Sequence, residues 1–302
     1  MKPKSAHWIW IGALVVSATA SGSERLYEGR ASMYRQLEPE SLEQLPTPAR
    51  ILAVAQGKVA PMLLWKTLER GERVECLDCI APVAELLYDP HPKNREISAW
   101  WLRRRIFGVF GPGEVHEQLA RSVTDASQSE HIRAYAAEAL GEMLSVSGEE
   151  PLARALISDP SPRVRVAAAR ALRRLNKPGP NQELAQALSD TDSEVRLAAL
   201  DASLRVVGFK RSDRVVGLLE DDAAAVRRLA AQTLGALRVS GALPQLSERL
   251  SPQNEGDPRV RAAAAYALGE LRSSDARPAL VEAQSDPDPF VRDAVNIALR
   301  RL

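Results

Sequence analysis

Metal-binding and thiol side chains are scarce in this chain, with four histidines and two cysteines among 302 residues. The cysteines form a single pair, and a zinc site there would need two more ligands, so no metal centre is expected. An excess of charge is missing as well: 40 Lys+Arg face 39 Asp+Glu, a formal net charge of +1. No basic surplus steers the protein toward nucleic acid or anionic lipid. Aromatic content is only 5%, which suits packing built on alanine. No segment alternates apolar and polar residues with a sustained period of two, so no strand is expected. A Ser-His-Asp spacing, a P-loop, G-x-G-x-x-G and H-E-x-x-H are all missing. The chain is not expected to be an enzyme, and no cofactor is implied.

Long apolar runs are missing with one exception. Lys2 and Lys4 precede the run Trp8–Val16, and Ala18-Thr-Ala20 follows it. A charged start, a short apolar core and an A-x-A site predict a secretory signal peptide over residues 1–20. An uncleaved anchor is the competing reading, and only such a retained segment would touch the membrane. The stretch Ala6–Ala20 falls short of the ~20 residues needed to span. No cysteine follows the run, which argues against a lipoprotein. Export, with a bacterial periplasm as the destination, is the expectation. Residues 21–48 form a polar lead-in. Residues 49–71 are apolar at Ile51, Leu52, Val54, Met62, Leu63, Leu64, Trp65 and Leu68. These are too many for a free helix, and they predict a helical N-terminal cap over the end of a larger array.

What is abundant is repetition. The stretch Asp159-Pro-Ser-Pro-Arg-Val-Arg165 and its continuation to Leu172 recur over residues 72–302. Anchored on Arg165, the counterparts are Arg133, Arg196, Arg227, Arg261 and Arg292, at steps of 32, 31, 31, 34 and 31. Asp89 to Arg95 aligns without a gap as a further upstream copy. Val164, Ala168, Ala171, Leu172 and Leu175 form one apolar helical stripe. Ser129, Ser161, Asp192, Asp257 and Asp288 stand as N-cap residues, with proline after several of them. A shorter apolar run before each turn reads as a first helix. A period of this size marks units that are stable only when stacked. The extra residues of the long step fall in Ser251–Gly256, which predicts a bulging turn.

The pattern D-x-x-x-x-V-R-x-A-A-x-x-A-L resembles HEAT-like repeats of the bilin-lyase type. The resemblance implies an all-α solenoid of about seven helix pairs behind the cap. It also implies a hydrogen-bonded ladder between successive repeats, made by Asp159 and Arg165, Asp190 and Arg196, Asp221 and Arg227, and Asp286 and Arg292. Ser127 and Glu255 depart from the aspartate slot in the second and sixth copies. Deoxyhypusine hydroxylase, an iron enzyme on a similar scaffold, carries several His-Glu pairs. This chain has one, His116-Glu117, so that resemblance stops at the fold.

Three features remain. Cys76 and Cys79 lie in the first helix of the first repeat, and in an exported protein they read as a structural disulfide. Free redox thiols and a metal site are the alternatives. In the segment 100–110, Trp100, Arg103, Arg104 and Arg105 read either as a face covered by the cap or as a partner-binding patch. Phe290 and Ile297 put apolar side chains at slots that are mainly polar or small elsewhere. With no capping segment after Leu302, the C-terminal end is expected to bind a partner or to self-associate. The function expected is an exported scaffold for a protein partner. The alternative is a lyase-like maturation factor for an exported cofactor protein.

Overall fold

A computed structural model describes residues 46–106, 113–206 and 212–302. The signal segment expected over 1–20, the lead-in as far as residue 45, and residues 107–112 and 207–211 lie outside the described residues. Sixteen α-helices follow one another in eight hairpins, and there is no strand among the described residues. The hairpins are α1 Pro48–Gln56 with α2 Pro61–Arg70, α3 Ile80–Glu85 with α4 Pro92–Ile106, and α5 Gly113–Thr124 with α6 Glu130–Glu142. Then come α7 Glu149–Ser158 with α8 Pro162–Leu175, α9 Asn181–Ala187 with α10 Ser193–Ser203, and α11 Ser212–Gly217 with α12 Ala224–Ala236. The last two are α13 Leu243–Leu250 with α14 Pro258–Leu271, and α15 Arg277–Glu282 with α16 Pro289–Leu299. Even-numbered helices pack on even-numbered ones and odd on odd, giving two layers of a solenoid. The cap is itself a hairpin, α1 and α2, and its second helix has no arginine in its first turn.

The local reasons repeat with the sequence. Asp192, Asp257 and Asp288 cap α10, α14 and α16 by accepting backbone amides, and Ser129 does the same for α6. Proline opens α8, α14 and α16, where an N–H would have no partner. Ser161 departs from its expected role. Its Oγ lies 2.6 Å from a Glu130 carboxylate oxygen, so it donates there rather than capping α8. The stripe Val164, Ala168, Ala171, Leu172 and Leu175 is buried. Small residues set how closely the even helices approach. A Cβ on Gly141 would lie 2.7 Å from Ala171 Cα, and one on Gly235 would lie 2.6 Å from Ala267 Cα, so only glycine fits there.

Across the turns runs the ladder, and its partners differ from the simplest reading. Asp159 and Arg165 of one copy meet only through the Asp159 carbonyl, 2.8 Å from Arg165 Nη1. The carboxylate of Asp159 instead takes Nε and Nη2 of Arg133, one repeat earlier, at 2.7 and 2.9 Å. The same bidentate bond joins Arg165 to Asp190, Arg196 to Asp221, Arg227 to Glu255 and Arg261 to Asp286. Each carboxylate also accepts the amide two residues on, for example Asp192 N at 2.9 Å from Asp190. That bond turns its free edge toward the preceding repeat. Glu255 is thus a full member of the ladder. Ser127 has no carboxylate to offer, and Arg95 pairs with Glu138 on α6 instead. Arg292 keeps the carbonyls of Asp286 and Pro287, with no carboxylate among the described residues.

The ladder is nearly dry, which fixes the sign of its effects. Burial pushes the Asp190, Asp221, Glu255 and Asp286 carboxyls up. The arginine and amide bonds outweigh that and hold all four below their ordinary range. A depressed carboxyl stabilises the fold above its unfolded value and loses that contribution as pH falls through the folded one. Burial acts alone on His116 and holds it below its ordinary value. Stability should therefore begin to fall below about pH 6.5, as the unfolded chain takes up the His116 proton, and fall again below about pH 4. Urea midpoints measured against pH check this, and His116→Gln should flatten the first step alone. Arg196→Ala should cost about 2–4 kcal/mol, because Asp221 is left buried without its cation. The pair Arg196→Met with Asp221→Leu should cost less than either single change. An unchanged midpoint for Arg196→Ala would exclude the ladder as a stabilising element.

Candidate partner-binding face

The sites that chemistry would use are sparse. Among the described residues no group of histidine, cysteine, aspartate and glutamate could hold a metal ion, and no helix is long and apolar enough to cross a membrane. His116 is buried, with Nδ1 2.6 Å from Ser145 Oγ and Nε2 unpaired. Closed off from solvent, this Ser-His contact has no reach to a substrate. What the fold does offer is a long corrugated face made by the even-numbered helices.

Toward the C-terminus three positions of a repeat line that face: two before the ladder arginine, one after it, and five after it. A groove of about 290 Å3 crosses α4, α6 and α8 past Glu96, Glu138, Glu142, Arg170 and Arg174. Burial pushes the Glu142 carboxyl up, against the opposing pull of Arg174. A second groove, about 250 Å3, crosses α8, α10 and α12 past Glu194, Asp201 and Arg228. The third is larger, about 790 Å3, and lies between α12, α14 and α16. Its walls are Tyr266, Phe290, Ile297, Ala262 and Ala263, with Arg259 and Asp293 at the edges. The face is thus charged toward the N-terminus and apolar toward the C-terminus.

The predicted site residues fall into three places. Phe290 is 77% exposed and Ile297 is half-buried, and both face this third cleft. They line the side of the solenoid rather than its stacking end. The stacking side of α16 is polar instead. Asn296 stands where Ala137, Ala169, Leu200, Ala231 and Ala265 are fully buried in earlier repeats, and it pairs with Gln284 at 3.3 Å. Arg300 stands where Gly141, Gly235 and Gly269 allow close approach. A second copy stacked there would bury both, so end-to-end association has little to drive it. Tyr266, 43% exposed, completes the cleft. Its signal was in the sequence, at the same slot as Trp100 and Ile297.

The tryptophan segment divides differently from either reading. Trp101 is the buried ring, its Nε1 donating to the Gly71 carbonyl at 3.3 Å, and it fixes the first hairpin against the second. Trp100 is half-buried beneath the Arg104 guanidinium, 5.0 Å from the ring centre. Arg104 pairs with Glu72, and Arg103 donates to the Glu142 carbonyl. Both arginines are thereby engaged within the fold, while the Arg105 side chain lies outside the described residues.

Cys76 and Cys79 are bonded, S–S 2.00 Å. They lie in the irregular segment before α3 rather than inside a helix, with Cys79 as its N-cap. Pro82, in the first turn of α3, fits the start of a helix, where its missing N–H costs nothing. A loop this short contributes about 2 kcal/mol by its effect on the unfolded chain. Replacing both cysteines with serine should lower stability by no more than that, and thiol labelling of the untreated protein should find no reactive cysteine.

Residues 149–206 and 212–300 match the family model of HEAT repeats. These are HEAT repeats. No curated protein matches the chain by sequence. Solved structures give the same architecture at low identity. YibA of Escherichia coli has a TM-score of 0.55 at 18% identity, over 90% of this chain and 96% of its own. Importin-β has a TM-score of 0.61 at 15% identity over 95% of this chain, which spans 44% of that larger protein. Yeast importin-β (Kap95p) gives 0.52 at 14% over 82% of this chain and 43% of its own. Such identities show the HEAT solenoid fold alone.

Proposed function

We propose that this HEAT solenoid is a non-enzymatic, exported scaffold that binds a protein partner along its even-helix face, anchored in the cleft of Tyr266, Phe290 and Ile297. The exposed Phe290 ring, across a cleft of about 790 Å3 from Tyr266, carries the reading. Aromatic side chains left open beside a well-formed apolar cleft mark binding surfaces, because covering them releases ordered water at little entropic cost. Export rests on the N-terminal segment and agrees with the disulfide. The second reading, a lyase-like maturation factor, rests on repeat type; closure of Cys76 and Cys79 in a bond removes the thiols it would use.

The test is capture from a cell-envelope fraction by crosslinking and mass spectrometry. Phe290→Asp should lose the partner by at least about tenfold, the loss of one buried aromatic anchor. Ile157→Asp, an exposed apolar position on the other helical layer, should keep it. Equal recovery by Phe290→Asp and the unaltered protein would reject the cleft.

A further inference from the structure

The charged half of the same face carries two cations, Lys93 and Arg163, with His131 between them, that the ladder does not use. At the slot two before the ladder arginine stand Lys93, His131 and Arg163, in three consecutive repeats, all exposed. The same slot lines the grooves farther along, at Glu194, Ala225, Arg259 and Phe290. Among the described residues none of the three has a carboxylate within ion-pair distance. Aromatic rings hold the row instead. Lys93 Nζ sits 5.6 Å from the Trp65 ring centre, Arg163 Cζ 5.7 Å from that of Tyr135, and the His131 ring stacks on Tyr135 at 6.3 Å. A ring orients a cation without cancelling its charge, so the charge stays available to a ligand.

The acidic side chains nearby are mostly committed. Glu138 holds Arg95, which itself lies 3.9 Å from the Tyr135 ring centre. Glu130 accepts from Ser161, Asp159 takes Arg133, and Asp89 accepts the His91 amide. Among the described residues Glu96, on the groove side of α4, and Glu194, at the next slot beyond Arg163, have no such partner.

We infer that this row binds an extended acidic peptide segment of the partner, with a carboxylate at every third residue. The inference rests on the even-helix face being the binding face. Spacing supplies the register: packed helices lie about 8–10 Å apart, and a peptide in the polyproline II conformation, with three residues per turn, advances about 3.1 Å per residue and returns its side chain to the same face at every third one. Three residues thus carry a peptide from one repeat to the next. A flat anionic membrane fits less well, since it would also meet Glu96, Glu138 and Glu194 on the same face.

The probe is a fluorescein-labelled peptide in which glutamates alternate with pairs of serines, titrated with the whole protein at about 0.15 M ionic strength, where the Debye length is about 8 Å, and followed by anisotropy. Binding should saturate, and a peptide of the same composition with its glutamates clustered should bind more weakly. The double variant Lys93→Glu/Arg163→Glu should weaken binding by at least about tenfold, because attraction becomes repulsion. Arg259→Glu, at the same slot beside the apolar cleft, should stay within about twofold, since charges beyond a Debye length are screened. Matching melting midpoints show that all the variants fold. No binding by the unaltered protein, an equal loss for Arg259→Glu, or sedimentation with phosphatidylglycerol vesicles in place of peptide binding each overturns the inference. Phe290→Asp should bind this peptide normally. If that variant also keeps its captured partner, the cleft reading fails while this one stands.

Discussion

The bidentate bond from an arginine to the next repeat's turn carboxylate is the interaction on which the geometry of this array depends. Each guanidinium spans two turns, holding carbonyls of its own and a carboxylate of the next. Five such bonds in series, from Arg133 to Asp286, fix the spacing of successive hairpins at one edge. Hairpins of this size bury too little apolar surface to be stable alone, so their stability comes from stacking. Breaking a buried pair by removing one partner leaves a charge without compensation, which makes the register hard to slip. The long step tests that rule within the chain. The extra residues at 251–256 leave the bond intact, because Glu255 reaches Arg227 from the enlarged turn.

With one edge held by charge, the rest of each interface is set by side-chain size. Gly141, Gly235 and Gly269 let the next even helix come into backbone contact, and alanine fills the rest of that layer. The even-helix face is therefore a regular surface on which each repeat displays the same few positions. Those positions vary along the array: cations held on Trp65 and Tyr135 stand at one end, and the Tyr266–Phe290–Ile297 cleft at the other. The ends of the stack are treated differently from its side. Trp101 locks the first hairpin onto the second, and Asn296 with Arg300 makes the far stacking surface polar.

The sequence by itself determined the helix pairs, their period, the capping residues and the apolar stripe, because these are local. Proline and aspartate at helix starts, and alanine at helical spacing, act through backbone geometry within a few residues. It also marked Phe290 and Ile297 as departures from their slots. Only the tertiary structure decided which groups meet. That the Asp159 carboxylate binds Arg133 rather than Arg165 depends on how one hairpin sits on the next, which spacing along the chain does not encode. The same holds for the two tryptophans. Trp100 and Trp101 are adjacent in sequence, yet about 100° apart around the helix axis, so one is half-open to solvent and the other is core. Whether an apolar side chain at a repeat's edge lies on the stacking end or along the side is likewise a matter of stacking direction, and here it places Phe290 and Ile297 along the side.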